Sequence, residues 1–170
     1  RPSIRPLGPK DLGALMPTVG ALVDSLYPKG AAKLLTRLEE ALNGCATAHV
    51  AHLPRIGPIA LASETLKGCD RVKLSTFWVD PRFRGIGVGG SLLDHRIGDW
   101  EQRDLSMAVV TVREERAAEL EGLFIPRGFS RVATDINKYG EGQNEVILRW
   151  VCGNAATHSQ AFMRCGLHAA

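Results

Sequence analysis

The sequence predicts an α+β fold: a mixed sheet layered with helices and carrying an anion site at a strand-to-helix turn near mid-chain. Three observations predict it. Helical and strand periodicities alternate irregularly along the chain. Three consecutive strand candidates precede its centre. The stretch FRGIGVGGSLLDH, from Phe83 to His95, then sets Gly85, Gly87, Gly89 and Gly90 between an apolar strand and an amphipathic helix.

Taken in order, Ser3–Leu7 is a short first strand ended by Pro9. Between Asp11 and Leu26, Leu12, Leu15, Met16, Val19, Leu22 and Val23 recur at helical spacing, and Pro17 predicts a break or kink. Gly30–Leu42 is a second helix with Leu34, Leu35, Leu38 and Leu42 on one face, stopped by Asn43-Gly44. Cys45–Leu53 and Ile59–Leu66 are strands joined through the turn Pro54–Pro58. Lys67–Asp70 turns the chain into Arg71–Val79, a β-branched and aromatic strand. After the glycines, Leu92, Leu93, Ile97 and Trp100 stripe a helix from Gly89 to Gln102. Leu105–Val112 is so apolar that burial on both faces is expected. A helix over Glu114–Leu123 and two strands, Arg131–Tyr139 and Glu145–Trp150, complete the order, turning around Gly140–Gly142.

At 170 residues and 45% hydrophobic, the chain reads as one globular domain over residues 1–150, with a C-terminal extension lacking clear periodicity over 151–170. A net charge of +3 suits an anionic ligand but falls far short of a dedicated nucleic-acid binder. No apolar run reaches membrane-spanning length, and nothing at the N-terminus reads as a signal peptide. Cys45, Cys69, Cys152 and Cys165 show no metal-ligand spacing. They are read as small buried residues, free thiols of a cytoplasmic protein that needs no metal.

Glycines without Cβ atoms let successive amides converge on an anion, and a helix N-terminus adds its dipole. Three loop classes compete for this one. A nucleotide P-loop needs a Gly-Lys-Ser/Thr ending, whereas this loop has Gly89-Gly90-Ser91. A dinucleotide fingerprint needs an acidic residue ending the next strand, but Thr111, Val112 and Arg113 stand there.

The third class fits. Arg84-Gly85-Ile86-Gly87-Val88-Gly89 resembles the pyrophosphate loop of the GNAT superfamily of N-acetyltransferases, and Phe77–Phe83 resembles its valine-x-proline lead-in. Leu123–Phe129 resembles its late helix with the glycine-phenylalanine ending. The resemblance covers roughly Ser3 to Trp150. It implies a GNAT fold of about six to seven strands with a splayed fourth strand, flanked by about four helices.

It also implies acetyl-CoA as acyl donor. The pyrophosphate would lie on Arg84, Gly85, Ile86, Gly87, Val88, Gly89 and Gly90, and the pantetheine arm along the main chain of Phe77, Trp78 and Val79. The Arg84 side chain would hold the loop or meet phosphate. The activity implied is acetyl transfer to a primary amine by direct attack in a ternary complex, without a covalent enzyme intermediate. The acceptor is a small-molecule, peptide or tRNA-borne amine, no membrane is involved, and a homodimer is compatible. Two rival readings stand beside this one: a non-catalytic acyl-CoA-binding module, and a catalytic domain excised from a larger protein.

The acid and base are the weak part of the pattern. The tyrosine that usually protonates the thiolate is replaced by Phe124, and Ala117 stands where the family often has asparagine. Tyr139, near the final hairpin, is the candidate acid and Glu64, late in its strand, the candidate base. Ser130, His49 and His52 are alternatives, and His95 reads as surface. Glu39 and Glu40 either line an acceptor wall for a cationic amine or form a solvated helix face.

Overall fold

The computed structural model describes residues 1–153; Cys165 and most of the extension expected over 151–170 lie outside the described residues. Seven strands form one sheet in the order β1 (Ser3–Pro6), β2 (Thr47–Leu53), β3 (Gly57–Leu66), β4 (Arg71–Val79), β5 (Met107–Arg113), β7 (Glu145–Val151), β6 (Phe129–Asp135). The chain divides into two compact units.

The first unit comprises Arg1–Thr65 and Leu74–His95. Strand β1 (Ser3–Pro6) pairs antiparallel with β2 (Thr47–Leu53), which pairs antiparallel with β3 (Gly57–Leu66) through a bulge at Ala51/His52. Strand β4 spans Arg71–Val79. The helical run after β1 has α1 (Pro9–Leu15) and α2 (Ala21–Leu26) joined by a π-helical turn, Met16–Gly20. That turn is the break expected at Pro17, whose missing N–H interrupts the ordinary i→i−4 ladder. Helix α3 (Gly30–Leu42) follows closely on α2 because Gly30 has no side chain. A Cβ there would stand 2.1 Å from the Val23 carbonyl oxygen.

Leu7, Leu15, Val19, Leu34 and Leu38 bury against Ala48 and Val50 of β2, Leu61 of β3 and Trp78 of β4, forming this unit's core. Asp11 is buried at the start of α1, where it accepts from the Gly8 N–H at 2.8 Å and forms a two-armed pair with Arg5 at 2.6 and 3.0 Å. Burial alone would raise the Asp11 pKa. The Arg5 and Gly8 hydrogen bonds outweigh it and hold the carboxyl below its ordinary value.

The second unit comprises Leu66–Lys73 and the chain from Arg96. Strand β5 (Met107–Arg113) pairs antiparallel with β7 (Glu145–Val151), and β7 with β6 (Phe129–Asp135). Helix α4 (Val88–Gln102) begins in the first unit and ends in this one. A 3-10 turn, Glu114–Arg116, leads into α5 (Ala117–Phe124). Trp100 of α4 packs against Phe129 and Trp150, with ring centroids 6.2 and 5.6 Å away, and Phe124 meets Phe129 edge-on at 4.9 Å. These aromatic contacts anchor α4, α5 and the β6–β7 hairpin to one another.

Several expectations are corrected. Burial along β5 alternates, with Ala108, Val110 and Val112 fully covered and the residues between them only half-covered. The strand buried on both faces is β3, where Ile59 through Glu64 are all buried. The strand expected at Arg131–Tyr139 starts at Phe129 and stops at Asp135, leaving Tyr139 in the turn. Cys45 and Cys69 are exposed and Cys152 half-buried, because the first two fall in turns rather than in packed elements.

Candidate functional site

The glycine-rich turn joins the end of β4 to the start of α4 within the first unit. Val79 is the last strand residue. The next amide, that of Asp80, still donates to the Ile59 carbonyl oxygen of β3 at 2.9 Å. Pro81–Phe83 form a 3-10 turn capped by Asp80, whose Oδ1 accepts from the Arg82 N–H at 3.0 Å. The Phe83 and Arg84 amides donate back to the carbonyls of Asp80 and Pro81. Arg84 then folds back on the strand, its Nε donating to the Val79 carbonyl oxygen at 3.1 Å. This bond ties the Arg84 side chain to the end of β4.

Gly85 and Gly87 have φ of +75° and +88°, a region that favours glycine, and a Cβ built on either meets nothing within 4 Å. These glycines therefore serve the backbone path and leave open space beside it. The Gly87 carbonyl accepts from the Ser91 N–H at 3.0 Å, which makes Gly87 the N-cap of α4. The amides of Val88, Gly89 and Gly90 fall in the first helical turn, where no intrahelical acceptor exists. Val88 and Gly90 are buried and Gly89 half-buried, while Ile86 stands 70% exposed at the tip. Every residue expected to form the anion loop is thus gathered in one turn. Trp78 belongs to the core by its side chain, so only its main chain can serve a ligand; Phe77 and Val79 are half-buried beside it.

The predicted acid and base lie elsewhere. Glu64 is 2% exposed on β3, opposite Thr47 of β2. Glu64 is thus covered rather than solvated. Opposed residues of an antiparallel pair share a face, so Thr47, His49, Ala62 and Glu64 share one side of β2–β3. His95 of α4 meets His49 there, with ring centroids 5.2 Å apart, so His95 contacts the sheet although it is exposed. His52 lies further along β2, half-buried. Glu39 and Glu40 are exposed on α3.

In the second unit, Tyr139 is 41% exposed in the β6–β7 turn. Partial withdrawal from water, with the Glu145 carboxylate next in importance, pushes its phenol above the ordinary value. Tyr139 therefore stays protonated at neutral pH. Ser130 is exposed, its Oγ 3.4 Å from the Arg149 carbonyl oxygen. Phe124, at the position of the absent tyrosine, has 0% exposure. Among the described residues, no group of three or more His, Cys, Asp or Glu side chains could hold a metal ion, and no helix is long and apolar enough to cross a membrane.

Sequence reasoning missed the pairing of Asp80 with Arg82. The signal was the Asp-Pro dipeptide, a capping pattern ahead of a short helical turn.

No protein-family model and no curated protein matches the sequence. Solved structures do match. The chain is similar to the ribosomal-protein-alanine N-acetyltransferase of Brucella melitensis, with a TM-score of 0.72 at 20% identity over 88% of this chain and 99% of that one. It is similar to the ribosomal-protein-S18-alanine N-acetyltransferase of Escherichia coli, with a TM-score of 0.69 at 20% identity over 91% and 98%. A GNAT family acetyltransferase of Elizabethkingia anophelis, solved with acetyl-CoA bound, gives 0.67 at 16% identity over 89% and 98%. At such identities the likeness is one of fold: this chain has the GNAT fold.

Proposed function

We propose that this chain is an N-acetyltransferase that moves an acetyl group from acetyl-CoA to a primary amine by direct attack in a ternary complex. The turn between β4 and α4 carries the reading. Its positive-φ glycines leave space for a ligand and lead into a helix N-terminus, in a fold shared with structures that hold acetyl-CoA. The backbone of Arg84 through Gly90 receives the pyrophosphate, and the main chain of Phe77, Trp78 and Val79 runs beside the pantetheine arm.

When bound, acetyl-CoA supplies a thioester whose carbonyl must be polarised for attack. The Asp80 N–H is engaged by Ile59, so of the two neighbouring amides the Val79 N–H is the donor assigned to that task. The attacking amine must be neutral and the departing thiolate must gain a proton. Glu64 is assigned as the group that takes a proton from the amine. Tyr139 is assigned as the group that gives one, since its phenol is held protonated. The acceptor class comprises small-molecule, peptide and tRNA-borne amines. A cytoplasmic location accompanies this reading.

A second reading, acyl-CoA binding without turnover, is favoured by Phe124. Its ring is fully buried and packed edge-on against Phe129, and it carries no proton to give. Release of free thiol from acetyl-CoA, screened against the three amine classes, separates the two. Transfer predicts thiol release with at least one class and a loss of about tenfold or more in kcat for Tyr139→Phe. Intact acetyl-CoA binding with no thiol release across the panel selects the binding module, and full turnover by Tyr139→Phe removes Tyr139 as the acid.

A further inference from the structure

Asp80 presents an electrostatic difficulty that the structure resolves locally. Its side chain is 11% exposed and sits directly ahead of a turn read as an anion seat. A carboxylate withdrawn from water repels a neighbouring anion more strongly than one at the surface. Among the described residues, Arg82 supplies the hydrogen bonds to that carboxylate. Oδ1 accepts from the Arg82 N–H at 3.0 Å and from Arg82 Nε at 3.1 Å, while Oδ2 accepts from Arg82 Nη2 at 2.7 Å. The Arg82 guanidinium also lies over the Phe83 ring, 5.6 Å from its centroid. The side chain, 74% exposed, is thus drawn back onto the turn rather than extended into water.

We propose that Arg82 is a positioning residue that cancels the Asp80 charge, so that the Arg84–Gly90 turn accepts an anion that Arg82 itself does not touch. The inference rests on the acetyl-CoA reading of that turn. Asp80 remains in place because its carboxylate caps Pro81–Phe83 and shapes the path from β4 into the glycines. Protonation cannot do Arg82's work. The Arg82 hydrogen bonds, partly opposed by burial, hold the Asp80 carboxyl below its ordinary value, so its charge persists at neutral pH.

A double-variant cycle in calorimetric titration tests this, with acetyl-CoA as the anionic probe and pantetheine, followed by ligand-observed NMR, as the phosphate-free one. Arg82→Ala removes the guanidinium bonded to Asp80 and leaves only the weaker attraction of Arg84, and is expected to weaken acetyl-CoA binding about tenfold. Asp80→Asn keeps the capping oxygen and removes the charge. The pair Asp80→Asn with Arg82→Ala is therefore expected to recover to within about twofold of the unsubstituted protein. Pantetheine binding is expected to be unchanged by Arg82→Ala.

Three results overturn the proposal. If the double variant binds as weakly as Arg82→Ala, the guanidinium contacts the phosphate itself. If pantetheine binding falls in step with acetyl-CoA binding, the turn has lost its shape rather than its charge balance. Parent-like acetyl-CoA affinity in Arg82→Ala also overturns it. Absence of acetyl-CoA binding by the unsubstituted protein is a distinct result, which removes the underlying reading and this inference with it.

Discussion

Arg84 Nε donates to the Val79 carbonyl oxygen at 3.1 Å, tying the first residue of the glycine turn to the last residue of β4. The arginine that the motif offers to phosphate thus acts as a clasp. It fixes where the turn begins relative to the strand main chain, and it engages one of the carbonyls flanking the proposed pantetheine path.

Replacing Arg84 with methionine keeps much of the side chain's length and removes the donor. Acetyl-CoA affinity is expected to fall about tenfold while the thermal midpoint changes little, since an exposed hydrogen bond contributes only about 1 kcal/mol. Titration calorimetry paired with a thermal melt checks both halves. A large drop in midpoint would show that the clasp supports the fold rather than the site.

Phe124 and Phe129 meet at 4.9 Å with their planes 83° apart, and Phe124 has no exposed surface. Restoring the tyrosine of the sequence pattern, Phe124→Tyr, asks this packing to accept a hydroxyl. The expected cost is about 1–3 kcal/mol, against about 3–5 kcal/mol for Phe124→Ala. Denaturant unfolding of the two variants measures the order. An unchanged stability for Phe124→Tyr would mean that the hydroxyl finds a partner and that the position accommodates an acid.

The buried Asp11 gives the fold an acid-sensitive point. Because its folded pKa lies below the ordinary 3.8, its pairing with Arg5 stabilises the fold fully above that value and is lost as pH falls through the depressed folded value. Stability is expected to fall steeply below about pH 4. Asp11→Asn is expected to flatten that dependence while lowering neutral-pH stability by about 1–3 kcal/mol. Unfolding curves between neutral and strongly acidic pH read out both effects, and an unaltered acid limb in Asp11→Asn would place the sensitivity elsewhere.

Much of the fold was legible because punctuation residues mark it. Lys67–Asp70 delimits β4 at Arg71, Asn43-Gly44 ends α3 at Leu42, and the glycines place the start of α4 within one residue. The loop was legible for the same reason, since positive φ at Gly85 and Gly87 leaves a compositional mark. Burial was less legible. Large apolar side chains made β5 read as the doubly covered strand, whereas β3 is, and its Ala60, Ala62 and Ser63 are small. Side-chain size reports what a strand can bury, while the number of layers around it depends on elements distant in sequence. The burial of Glu64 was illegible for that reason. Asp80 and Arg82 escaped notice because a pair two residues apart does not face itself on a helix, and the tight turn that brings these two together lies between β4 and α4, outside both elements.

The measurement that bears most directly on the account is calorimetric titration of acetyl-CoA into this protein and into its Gly89→Glu variant. Gly89 lies inside α4 and is not among the positive-φ glycines, so the substitution adds bulk and negative charge to the first helical turn without demanding a left-handed conformation. Binding by the parent is expected, with its loss in a variant that melts like the parent. Equal affinity in both would contradict the assignment of this turn as the phosphate seat.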